Sequence, residues 1–206
     1  MNSKARRAYL DYNASAPLLD AARVAMIEAL GAFGNPSSVH DEGRKARQHV
    51  EIARRQVAAL VNGKPEHVTF TSGATEAAMM LLTPEWQMGR SPLRMSGVYV
   101  CESDHPCLLN GGRFGSGQVN RIPVDGNGTV DLDALREALG AHRRDTGLPL
   151  VGIHAVNNET GVVQPVTEIA ALVRDAGGVL VLDAVQAAGR IVLDLSAGIA
   201  DYIILS

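Results

Sequence analysis

Four short apolar runs constrain this chain more than any other feature. Residues 98–101, 150–156, 179–182 and 202–205 are hydrophobic without the alternation that a strand with one wet face would show. Such runs are predicted as strands covered on both faces, and strands of that kind need crossover connections that return across a face of the sheet. Helical patterns supply candidates. Val50, Ala53, Val57 and Leu60 recur at three- and four-residue steps with Arg47, Glu51, Arg54 and Arg55 between them, and Val166, Ile169, Ala170 and Val173 repeat the stripe. A helix over 131–142 would open on Asp131 as its cap, and one over 165–176 on a proline in its first turn. The expected fold class is α/β, with a mostly parallel or mixed sheet and helices on both faces. The stretch 84–96 holds two prolines and a glycine and is expected to be a loose connection.

Composition narrows the functional classes. With 206 residues, 46% of them hydrophobic, the chain can bury roughly 70% of its unfolded surface. A net charge of -3 without long basic runs provides no field for a phosphate backbone, so no nucleic-acid partner is expected. No segment approaches the roughly 20 apolar residues of a membrane span, and residues 1–7 are basic but lead into no signal-type apolar stretch. A cytoplasmic protein without a membrane partner is expected. Cys101 and Cys107 lack zinc-type spacing and read as small core residues.

In open α/β sheets ligands collect beyond the carboxyl ends of the strands. Four such positions carry chemistry here. A predicted strand at 68–70 leads through Thr71, Ser72, Gly73, Ala74, Thr75 and Glu76 into a helix, which offers backbone N–H groups to an anion. His105 follows the run at 98–101 and could act as a general base, a metal ligand or a flat cover for an aromatic group. Asn158 sits in the turn after the run ending at Val156. Asp183 ends the run at 179–182, where ionisation is costly without a cationic partner, and Gln186 follows three residues later.

One ligand would satisfy all four positions. Pyridoxal 5'-phosphate carries a phosphate for Gly73, Ala74 and Thr75, a ring for His105 to cover, and a phenolic oxygen for Asn158 and Gln186. Its pyridine nitrogen would face Asp183, and a carboxylate there shifts such a group by about 1 to 3 pKa units toward its protonated form. No GxGxxG opens a helix after a strand, which argues against a nicotinamide-binding protein. A metal cluster of Asp104, His105 and Cys107 would leave the other strand ends unexplained, so no metal is expected.

The ordered set YLDYNASAP (9–17), GNPSSVH (34–40), FTSGATE (70–76), Asp104–His105, VNNETG (156–161) with Gln164 and Pro165, and VLDAVQ (181–186) resembles the NifS/IscS-like cysteine desulfurases. These belong to the class V aminotransferase family. The resemblance implies fold type I of the pyridoxal-phosphate enzymes, a homodimer, and transfer of sulfur from L-cysteine to acceptor or scaffold proteins in iron–sulfur cluster assembly, leaving L-alanine. By it, His105 would stack on the ring and serve in acid–base chemistry, and Thr75 and Ser206 would bind the phosphate. Asp183 would pair with the ring nitrogen, and Asn158 and Gln186 would line the site. Residues 1–15 would form an N-terminal segment near the site, and 16–206 part of the large cofactor-binding domain.

Two departures stand out. The family usually reads Glu-His where this chain has Asp104 and His105. The Schiff-base lysine that follows the serine at the Ser206 position, and the later persulfide cysteine, are absent, so a fragment inactive by itself is expected. Lys4, Lys45 and Lys64 are the only lysines, and none follows a predicted strand end near Asp183. A selenocysteine lyase, another class V aminotransferase-like enzyme, or a non-catalytic dimerising fragment would share these features.

Overall fold

A computed structural model describes residues 8–206 of the chain. The basic segment 1–7, Lys4 included, lies outside the described residues. Two units are distinguished, one reaching to Gln56 and the other spanning Val57–Ser206.

In the first unit, the Tyr9 hydroxyl donates to the carbonyls of Asp11 and Ser15 at 2.7 and 2.9 Å, closing the YLDYNASAP turn. Helix α1 (Asp20–Leu30) follows, and helix α2 (Asp41–Leu60) begins with acidic residues in its first turn. Asp41 receives Lys45 Nζ at 2.6 Å one turn later, a charge order that suits the helix dipole. Gly34 is required by its backbone: φ is +147°, and a Cβ would lie 2.6 Å from the carbonyl oxygen of Glu42.

The second unit is built on a six-stranded sheet. Its strands are β1 (Glu85–Met88), β2 (Ser91–Cys101), β3 (Val119–Ile122), β4 (Leu148–His154), β5 (Val179–Asp183) and β6 (Tyr202–Ile204). The order β1-β2-β4-β5-β6 has β3 paired to β2, and every pair except β1–β2 is parallel. All four apolar runs became strands. Tyr99, Cys101, Val151, Ile153 and Leu180 pack with Leu135 and Leu139 of α5 (Leu132–Gly140) and with Ile169 and Val173 of α6 (Val166–Asp175). A second cluster joins Val98, Val100, Leu150, Val181 and Ile204 to Ala78 of α3 (Ala74–Leu81) and Leu108 of α4 (Pro106–Leu109).

The expected helix boundaries hold where chemistry fixes them. Asp131 caps α5 by accepting from the amides of Asp133 and Ala134, both at 3.0 Å. Replacing Asp131 with alanine is expected to lower stability by about 1 kcal/mol, read as a drop in the urea midpoint. Two expectations fail. Residues 68–70 are extended but join no strand of the sheet. The stretch 84–96 is a β-hairpin: β1 pairs antiparallel with the start of β2 through a turn at Gly89, whose φ is +64°. Tertiary contact decides this, because Trp86 stacks edge-on against Tyr202 with ring centroids 5.1 Å apart and donates its indole N–H to the Thr83 carbonyl.

Candidate cofactor site

Asp183 is the last residue of β5 and is only 7% exposed. Its Oδ1 accepts the Val185 N–H at 3.0 Å, and the Cys107 thiol donates to its Oδ2 at 3.7 Å. Cys107 belongs to the short helix α4, whose cap is His105. The Cys107 N–H donates to His105 Nδ1 at 3.2 Å, which leaves Nε2 of the exposed neutral ring as the protonated nitrogen. Cys107 therefore joins the two residues singled out from sequence: its amide holds the imidazole and its sulfur reaches the carboxylate. Burial and the neighbouring Asp183 push the Cys107 thiol up to about 12. The thiolate fraction at pH 8 is then lower by roughly a thousandfold or more than for a free cysteine. Iodoacetamide should accordingly leave Cys107 unmodified in the folded chain and label it only on unfolding, as mass spectrometry of the alkylated peptide would show. The favourable effect of keeping this thiol protonated on stability is complete below about pH 8.5 and declines as pH rises toward 12.

The phosphate-type turn lies at the start of α3, which packs against both α4 and β6. Gly73 caps the helix, and a Cβ there would meet nothing within 4 Å, so the turn is open. First-turn N–H groups of a helix have no acceptor within it. One turn amide already serves an anion: Ser72 N–H donates to Glu76 Oε2 at 2.6 Å and holds that carboxyl below its usual range. Ala74 is half-buried and Thr75 exposed on this turn. Ser206 is exposed two residues past β6.

Asn158 and Gln186 occupy the turns after β4 and β5, both half-buried. Asn158 Nδ2 donates to Glu159 Oε1 at 2.9 Å, and Gln186 Oε1 accepts from Arg190 at 2.6 Å. The structure thus links Asp183 directly to the His105 turn, sets α3 and β6 beside that turn, and places the two amides on adjoining strand ends. Asp104 is directed elsewhere, to His154 and the Cys101 amide, so a cluster with His105 and Cys107 does not form. Among the described residues no group of three or more His, Cys, Asp or Glu side chains could hold a metal ion.

Two residues have structural roles that the sequence reading did not assign. Asn157 is 5% exposed, donates to the Ser103 carbonyl at 2.8 Å, and accepts the amides of Glu159 and Thr160 at 2.9 Å. It stitches the VNNETG turn to the loop carrying His105. His154 was hidden inside an apolar run, where its polarity was the only signal.

The donor set fits pyridoxal phosphate: an open helix start for a dianion, an imidazole on a rigid turn, and a buried carboxylate on the neighbouring strand end. Among the described residues no helix is long and apolar enough to cross a membrane.

The chain is 37% identical to a cysteine desulfurase of Sinorhizobium fredii over 98% of its own length and 51% of that protein's. It is 36% identical to cysteine desulfurase IscS 1 of Archaeoglobus fulgidus, with 96% and 51% covered. A NifS-like protein of Rickettsia africae superposes with a TM-score of 0.84 at 28% identity, covering 96% of this chain and 53% of that one. The chain spans about half the length of the curated relatives it matches. The α/β fold is that of the NifS-like structures over this portion. The model of the class V aminotransferases matches residues 8–206, and the chain belongs to that family.

Proposed function

We propose that this chain is the cofactor-cradling part of a pyridoxal-phosphate-dependent cysteine desulfurase, converting L-cysteine to L-alanine and passing the sulfur to an acceptor protein as a persulfide. The observation that carries the reading is the buried Asp183 at the end of β5, tied through Cys107 to the turn that presents His105. The similarity to named cysteine desulfurases selects this reaction among those the cofactor can run.

When bound, pyridoxal phosphate supplies an aromatic sink for the electrons released at the substrate α-carbon. Asp183 would hold a proton on the pyridine nitrogen. His105 would cover the ring face and offer its Nε2–H for proton exchange with the substrate. Gly73, Ala74, Thr75 and Ser206 would hold the phosphate, and Asn158 and Gln186 would address the ring oxygen and substrate. Among the described residues no side chain takes the place of the family's reactive lysine or persulfide cysteine. Lys45 is paired with Asp41 on α2, Lys64 leads into the 3-10 turn Pro65–His67, and Cys107 is too poorly ionised to attack sulfur. We assign residues 16–206 to the large domain, with a cytoplasmic homodimer as the working assembly.

The test titrates pyridoxal phosphate into the full 206-residue chain by equilibrium dialysis and then assays sulfide release from L-cysteine by a longer version, the chain joined to the portion of the Sinorhizobium fredii relative that it does not cover. Saturable binding by the chain, with turnover only in the longer version, is expected. A chain that binds no cofactor, or a longer version that releases selenide from L-selenocysteine but no sulfide from L-cysteine, sinks the proposal.

A further inference from the structure

Three buried polar side chains next to the site have no part in the proposed chemistry. Asp104, His154 and Gln164 are 5%, 3% and 3% exposed, and they form a single chain of hydrogen bonds. Gln164 Oε1 accepts the Val130 N–H at 2.9 Å, while its Nε2 donates to the Gly128 carbonyl at 3.1 Å. Turning the amide over would set an NH2 against an N–H and an oxygen against a carbonyl oxygen, so two backbone groups fix its orientation. The amide nitrogen therefore faces His154 Nε2, 3.0 Å away. A donor meets that nitrogen, which must accept. The His154 proton then sits on Nδ1, directed at Asp104 Oδ1 at 2.5 Å.

Asp104 is held from three directions as a result. Its Oδ1 also accepts the His154 N–H at 2.9 Å, and its Oδ2 accepts the Cys101 N–H at 2.6 Å. The carboxylate bridges the ends of β2 and β4. His154 is the register partner of Asp183 on β5, and the next residue along the chain from Asp104 is His105. Asp104 thus clamps the His105 turn to the strand beside the one that ends in Asp183.

We propose that Gln164, His154 and Asp104 form a tautomer-fixed relay whose task is to position His105, with Asp104 as the positioning residue and Gln164 selecting the imidazole tautomer that can hold it. The inference rests on the reading of His105 as the ring cover, but its test does not need the cofactor. Long-range proton–nitrogen correlation spectra of the full chain at neutral pH should show His154 protonated at Nδ1 and bare at Nε2. Gln164→Glu replaces the donating amide with an acceptor and should move the proton resonance onto Nε2. Hydrogen exchange reads the positioning: the Cys107 amide, bonded to His105 Nδ1, should exchange roughly tenfold faster in Asp104→Asn, the size of one lost hydrogen bond, with partial recovery in Asp104→Glu. The Ala134 amide, capped by Asp131, should be unchanged. If Asp104→Asn does not fold, Gln164→Met makes the same measurement with the Asp104 carboxylate left in place. A protonated His154 Nε2 in the unmodified chain, or unaltered Cys107 exchange in a folded variant, overturns the proposal. Loss of cofactor binding by the unmodified chain would instead strike the proposed function and leave these outcomes standing.

Discussion

Replacing Asp183 with alanine is expected to weaken binding of pyridoxal phosphate to the folded chain by roughly ten- to a thousandfold. The range follows from the ring nitrogen: a carboxylate beside it favours the protonated form by about 1 to 3 pKa units, or roughly 1.4 to 4 kcal/mol. Asp183→Asn separates charge from shape. An asparagine can keep the acceptor for the Val185 N–H and the contact with Cys107, so the turn after β5 should persist while the charge is lost. Equilibrium dialysis at pH 7, with circular dichroism as the control for folding, checks both variants. Equal affinity in all three proteins would remove the carboxylate from the site.

The second large effect is on stability. Gly112 follows α4 with φ of +60°, and a Cβ there would lie 2.5 Å from Leu82 Cβ and closer still to the Leu82 carbonyl oxygen. That carbonyl also accepts the Arg113 N–H at 2.8 Å, the bond that fastens the end of α3 to the loop after α4. Gly112→Ala must therefore adopt a left-handed conformation and push apart two backbone segments. The first costs about 1 to 2 kcal/mol and the second about 1 to 3. A loss of about 2 to 5 kcal/mol is a large share of the stability of a typical domain. Gly140→Ala gives the opposite sign: this glycine ends α5 in open space, and alanine there should stabilise by up to about 1 kcal/mol. Paired urea melts of the two variants make the comparison, and a Gly112→Ala chain as stable as the parent would show that the α3–α4 junction yields freely.

Both effects depend on α3 and α4 being held over the same end of the sheet, and sequence conveyed that arrangement unevenly. The strand-end positions of His105, Asn158 and Asp183 were legible because buried parallel strands advertise themselves as apolar runs, and the residues that follow each run lie at the carboxyl edge of the sheet. The cap at Asp131 was legible because it acts on amides two and three residues away. The hairpin of β1 and β2 was not. Pro92 and Arg94 read as loop residues, and the pairing is supported by Trp86 against Tyr202, 116 positions further along the chain.

What the sequence determined alone is whatever acts through neighbours: the alternation of buried strands and amphipathic helices, the caps, and the order of the motifs that mark the family. Only the tertiary structure decided how distant polar groups share a buried space. Cys107 reads in sequence as a small apolar residue, yet folding sets its thiol on Asp183 and its amide on His105. His154 reads as an interruption in a strand until Asp104, 50 positions away, and Gln164 close around it. The physical reason is that burial removes water as a partner, so each of these groups must find its hydrogen bonds in whatever the fold brings beside it.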